Sequence, residues 1–99
     1  MIYNTTYTMS ADDEQQFCIW VKECMLPQVE QDGVMHSPRL LRVLSHQQDD
    51  STSYCLQLEV PDTGALHKWY LRQGAQMAQE LVRVFNGRIV GFSTLLEDV

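Results

Sequence analysis

The sequence predicts a single α+β domain: a four-stranded antiparallel sheet with two helices packed on one face. Three observations carry this reading. Two stretches show the apolar spacing of one helical stripe, and four show the residue types and alternation of strands. Their order, β-α-β-β-α-β, fills residues 2–96 with almost nothing left over. That order fixes a shape and leaves the function to be argued from sites.

Residues 2–9 read as the first strand, because Ile, Tyr and Thr suit a pleated, half-buried surface and no Gly or Pro interrupts them. Ser10 ends it and, with Asp13 three residues on, gives a capping signal. Asp12, Asp13 and Glu14 add negative charge where a helix N-terminus is positive. The first helix carries Phe17, Trp20, Val21, Cys24 and Met25 on one stripe, which marks Trp20 as core. Pro27 lacks an N–H and crowds the Glu23 carbonyl, so the helix is expected to kink or finish there, with Gly33 free to reverse the chain.

Residues 39–45 and 54–60 read as a hairpin; in the second, Tyr54, Leu56, Leu58 and Val60 alternate with Cys55, Gln57 and Glu59. The polar run from His46 to Thr52 joins them as an exposed connection. Asp62 or Thr63 caps a second helix with the stripe Leu66, Tyr70, Met77, Leu81 and Val84, Trp69 at its margin and Gly74 as a weak interior point. Asn86 and Gly87 stop it. The last strand, residues 88–96, sets Val90, Phe92 and Leu96 against Ile89 and Leu95, so neither of its faces is polar.

Helices on one face leave the other face of the sheet bare. An apolar bare face marks an interface. Leu40, Leu44, Ile89 and Leu95 oppose Leu41, Val43, Val90 and Phe92 in parity. We take the first four as the candidate homodimer interface, with the two open sheets packed together as a barrel and the helices outside.

With 99 residues the chain buries about two-thirds of its unfolded surface, enough for one core. A net charge of -6 argues against nucleic acid and against an anionic membrane surface, since both are held by clustered Lys and Arg. The polar, β-rich start has no signal-peptide pattern and no segment has membrane-spanning length, so the expected location is the cytoplasm. Cys18, Cys24 and Cys55 have neither redox nor zinc spacing and are expected to be reduced thiols. His36, His46 and His67 lie in three elements with no ligand spacing, so no metal is expected. RNA recognition lacks its stacking aromatics on the third strand, and the first strand–helix junction lacks both a CxxC and a glycine-rich phosphate cradle.

Five residues are candidates for a pocket between sheet and helices. Asn4 interrupts a β-favouring strand and has the groups to orient a ligand carbonyl or dioxygen, or to bond neighbouring backbone. Trp20 and Trp69 offer flat apolar walls or plain core, Tyr70 lies on the same stripe, and His67 is either a general base or an exposed helix residue. Arg39 and Arg42 suit an anionic ligand if they face the cleft, and otherwise surface ion pairs.

MIYNTTY at the start, WVKECMLPQV in the first helix, RLLRVLS in the second strand and GFSTLLE at the end resemble a bacterial family of unassigned function, made of chains near this length. In that family a His commonly precedes the Pro of the first helix, where Met25 stands here. The resemblance implies kinship with dimeric ferredoxin-like α/β-barrel proteins, among them antibiotic-biosynthesis and haem-degrading monooxygenases, small isomerases and ligand-sensing domains. The haem-degrading branch has an Asn on the first strand and a Trp on the second helix, which Asn4 and Trp69 match. Its axial His falls further along that helix, where Gln76, Gln79 and Glu80 stand here, and His67 lies on the other side of Trp69. The expectation is therefore a homodimer without a cofactor that binds a small, partly apolar molecule. A monooxygenase is the alternative, and an interaction module a third.

Overall fold

A computed structural model describes residues 1–45 and 50–99. Strands β1 (Ile2–Ser10), β2 (His36–Arg42), β3 (Ser51–Glu59) and β4 (Val90–Leu96) form one antiparallel sheet in the order β2-β3-β1-β4. Helix α1 runs over residues 14–32 and α2 over residues 63–85. Each β-α-β unit thus skips one strand, and the gap is filled by the other unit's strand.

Register assigns every strand residue to a face. Leu40, Leu56, Thr5 and Ser93 form one cross-strand row, and Arg42, Tyr54, Tyr7 and Gly91 the next on the same side. Both helices cover this side: the Phe17 ring of α1 sits 5.0 Å from Tyr7, and the Trp69 ring of α2 sits 6.2 Å from Tyr3. The core lies between, with Phe17, Val21, Val29, Leu56 and Leu58 almost wholly removed from water. The open side carries the rows Leu41–Cys55–Thr6–Phe92 and Arg39–Gln57–Asn4–Thr94.

The helices differ from their expected form in one shared way. Each contains a single wide π-turn, Val21–Met25 in α1 and Tyr70–Gly74 in α2, in which an N–H reaches five residues back: Leu26 to Val21, and Ala75 to Tyr70. Trp20 and Trp69 stand immediately before these turns. In α1 the wide turn accommodates the Pro27 ring that a regular turn would press against the Glu23 carbonyl, so the helix passes Pro27 and ends at Gly33, which takes the left-handed conformation at φ 81°. The extra residue rotates the rest of the helix about its axis. Cys24, expected on the buried stripe, is exposed, while Met25 and Val29 are buried.

The same shift reorders α2. Trp69 is core rather than margin, Val84 is exposed, Tyr70 is partly so, and the buried stripe continues as Met77, Leu81 and Phe85. Asp62 caps α2 by accepting from the Ala65 N–H at 2.7 Å, and Ser10 accepts from Asp12 ahead of α1. Two bidentate pairs tie the layers: Arg72 on Asp32 joins α2 to the end of α1, and Arg88 on Asp13 joins the approach to β4 with the start of α1.

β2 begins three residues before its expected start, because a register shift between His36 and Arg39 takes up Pro38. The expected connection at residues 46–52 falls at 46–49 outside the described residues, and Ser51 and Thr52 already belong to β3. Among the described residues no helix is long and apolar enough to cross a membrane.

Candidate functional site

A cavity of about 290 Å³ lies between the helix-facing side of the sheet and α2. Its walls are Trp20 and Met25 of α1 and Trp69, Met77 and Leu81 of α2, while Tyr3, Thr5 and Tyr7 of β1 with Ser93 of β4 bring hydroxyl groups to its floor. Exposed Tyr70, Val82 and Phe92 rim the mouth along β4.

Two glycines let aromatic rings pack closely at the cavity wall. A side chain at Gly74 would place its first carbon 2.5 Å from the Trp69 ring and 2.8 Å from Tyr70; the bare backbone of the π-turn is what lets the indole lie there. At Gly91 that carbon would stand 3.0 Å from the Tyr7 ring. Gly74→Ala must displace two aromatic rings in a packed layer and is expected to cost about 1–3 kcal/mol, read as a lower urea midpoint with an unchanged m-value. An unshifted midpoint would show that the indole has room to move.

Polar groups in the cleft are hydroxyls joined to one another. Ser93 Oγ lies 3.0 Å from the Tyr3 hydroxyl and 2.9 Å from Thr5 Oγ1. The Trp69 indole N–H donates to Gln73 Oε1 at 2.9 Å and is occupied. Among the described residues no Asp, Glu, Lys, Arg, His or Cys lines the cavity. Burial pushes the Tyr7 phenol up to about 12 from 10.0, assisted by Tyr3, while a bond with Thr5 opposes the shift. The neutral phenol is the form the fold favours, so its stabilisation is complete below the unfolded value and fades as pH rises from 10 to about 12. Two units correspond to about 3 kcal/mol. Urea midpoints at pH 9 and pH 12 should fall less in Tyr7→Phe than in the parent chain; equal falls would assign the alkaline loss elsewhere.

The structure brings three of the five pocket candidates together: Trp20, Trp69 and Tyr70 line the cavity. Asn4 does not. It faces the open side of the sheet, where its amide nitrogen reaches Thr6 and Thr94, each at 3.4 Å, and its oxygen accepts from Gln57. Strand alternation places it opposite to Tyr3 and Thr5. His67 is exposed on α2 and does not line the cleft. Asn4 and Trp69 therefore lie on opposite faces of the sheet, and Gln76 and Gln79 are exposed. The two residues that match the haem-degrading branch do not form one site.

The interface candidates are corrected by the same parity. Leu40, Ile89 and Leu95 belong to the helix-facing side, with Ile89 only 7% exposed in the core, and Leu44 lies beyond β2. The apolar residues of the open side are Ile2, Leu41, Val90, Phe92 and Leu96.

The cleft residues that sequence reasoning misses are Tyr3, Thr5, Tyr7 and Ser93. The period-2 run of Tyr3, Tyr7 and Met9 is their signal, since it is the bulkier of the two sets on β1. Of the two arginines, Arg39 shares the open-side row of Asn4, and Arg42 is paired with Glu14 at 2.9 Å and donates to the Tyr54 hydroxyl. Tyr54 in turn donates to Glu14, and burial with that bond pushes its phenol up to about 12. His36 is exposed beside Glu59, and His46 lies outside the described residues. Cys18, Cys24 and Cys55 are free thiols. Among the described residues no three metal-ligating side chains converge.

A family model described as "Domain of unknown function (DUF4286)" matches residues 1–99. No curated protein matches the chain in sequence. Two solved structures share the fold. One is a protein from Deinococcus radiodurans assigned provisionally as an antibiotic biosynthesis monooxygenase, with TM-score 0.64 and 10% identity, covering 100% of this chain and 95% of that one. The other is an ethyl tert-butyl ether D (EthD) family protein from Bacillus halodurans C-125, also with TM-score 0.64 and 10% identity, covering 98% of this chain and 100% of that one.

Proposed function

Because the chain belongs to this family of unknown function (DUF4286), we propose from its geometry that it is a homodimeric binding protein for a small, partly apolar molecule held between sheet and helices. The observation that carries this is the cavity itself, about 290 Å³, with aromatic rings packed on two wall glycines on one side and hydroxyls on the other. A protein core ordinarily closes such a space, because each unfilled cavity forfeits dispersion contacts. The volume lies just below the ligand-site range of about 300–1,000 Å³, which fits a small ligand. Among the described residues no carboxylate, imidazole, thiol or amine side chain lines the cleft, which favours binding over acid–base catalysis.

Self-association is supported by the exposed apolar residues of β4, with Val90 68% and Phe92 62% exposed on the side no helix covers. The acidic surface fits a chain that meets neither nucleic acid nor a membrane, and a cytoplasmic setting fits three free thiols. Native mass spectrometry of untagged protein tests both halves at once. The expected spectrum is a species at twice the 11.5 kDa chain mass carrying additional small-molecule mass. A monomer would overturn self-association. A bare dimer that also takes up no small apolar molecule would favour an interaction module that recruits another chain.

A monooxygenase of the antibiotic-biosynthesis type is the second reading, favoured by the fold likeness to the Deinococcus protein. It predicts oxygen uptake above the buffer rate when 1-naphthol is supplied, suppressed in Ala78→Phe, since Ala78 is an exposed α2 residue that lines the cleft and a ring there would take up its space. Uptake at the buffer rate would remove it.

A further inference from the structure

We infer that the ligand is an uncharged, flat aromatic molecule bearing a hydroxyl or carbonyl oxygen, a phenol or naphthol in class, with its ring against the aromatic wall that buried Trp69 backs and half-exposed Tyr70 presents, and its oxygen on the Tyr3–Ser93–Thr5 hydroxyls. The inference rests on the binding reading above and narrows it to a chemical class. Charge decides the first part. The cleft offers no cation to a carboxylate and no anion to an ammonium. A charged ligand would lose its hydration for nothing in return, and an unpaired buried charge costs several kcal/mol.

Hydrogen-bond counting decides the second part. Each of the three hydroxyls has one proton and two lone pairs. The two bonds that join Tyr3, Ser93 and Thr5 use two of the three protons, whichever oxygen donates, and the Tyr7 phenol bonded with Thr5 adds one proton and one bond, which leaves the count unchanged. One proton and several lone pairs are left, so the cluster can donate once and accept more than once. A ligand hydroxyl or carbonyl meets both conditions without leaving a buried group unpaired. The indole N–H of Trp69 is already bonded to Gln73 and the residue is 2% exposed, so it backs the wall without donating, and the Tyr70 ring, 44% exposed, is the aromatic surface left for a ligand. A flat apolar body against such a ring gains the offset or edge contacts that aromatic pairs prefer.

Calorimetric titration of the intact chain with 1-naphthol, 1-naphthoate and naphthalene at neutral pH tests the class. The expected order is 1-naphthol at least tenfold tighter than 1-naphthoate and several-fold tighter than naphthalene. Ser93→Ala should remove most of the advantage of naphthol over naphthalene, read as the ratio of their two dissociation constants, and Ala78→Phe should abolish binding of all three. Naphthoate binding as tightly as naphthol overturns the uncharged class, and naphthalene equal to naphthol overturns the role of the hydroxyls; either result leaves the cleft reading standing. No heat with any of the three, from a parent chain whose circular dichroism is that of a folded α+β protein, overturns the reading beneath it as well.

Discussion

Phe17→Ala is expected to lower stability by about 3–5 kcal/mol, a large share of the roughly 5–15 kcal/mol that holds a domain of this size together. Phe17 is wholly buried, and its ring meets Tyr7 at 5.0 Å, Tyr54 at 5.9 Å and Phe85 at 6.4 Å. It is the point where α1, α2 and the two central strands touch. The neighbours are large rings fixed from several sides, so they have little freedom to collapse into the space, and the cavity term adds to the lost transfer energy. At about 4–8 °C per kcal/mol, the thermal midpoint should fall by some tens of degrees. A loss near 1 kcal/mol would mean that the aromatic cluster repacks around the missing ring.

Sequence patterning reaches the element order because each element has a local cause: a cap at Ser10, a cap at Asp62, alternation along β3, and a left-handed stop at Asn86. The π-turns are out of its reach. A stripe counted at 3.6 residues per turn stays in phase only while the helix keeps that pitch, so the count puts Cys24 inside and Trp69 at the edge. Pro27 is a visible mark of trouble in α1, but it points to a helix end, and nothing comparable marks α2 except Gly74. Face assignment fails for a different reason. On β1 both sets of alternate residues mix Thr with larger side chains, and Asn4 stands out by its type although its parity is what sets its face. The cleft itself is a product of long-range register. Ser93 meets Thr5 only because β4 pairs with β1 across 88 residues of chain, and no spacing within a segment records that.

Val90→Asp is expected to convert the proposed dimer to monomer without disturbing the fold. Val90 shares a row with Thr8 and Ser53 on the open side, is 68% exposed, and does not line the cleft, whereas Phe92 does. The centre of that open side is polar, with Thr8 bonded to Ser53 at 2.9 Å and Asn4 held by Gln57 and Thr94, so these groups are satisfied within the chain. What drives association is then the apolar strip on β4. Twofold symmetry makes any interface residue appear twice, and each copy of the variant would bury a carboxylate with no partner. At several kcal/mol per buried charge, the dissociation constant should rise by a hundredfold or more. Sedimentation at micromolar concentration reads this directly, and circular dichroism should be unchanged because the substituted position is exposed in the single chain. Leu44→Asp is the control: Leu44 lies beyond β2 and off the strip, and that variant should remain dimeric. A Leu44→Asp monomer beside a Val90→Asp dimer would move the interface to the β2 edge and leave the β4 strip to some other partner.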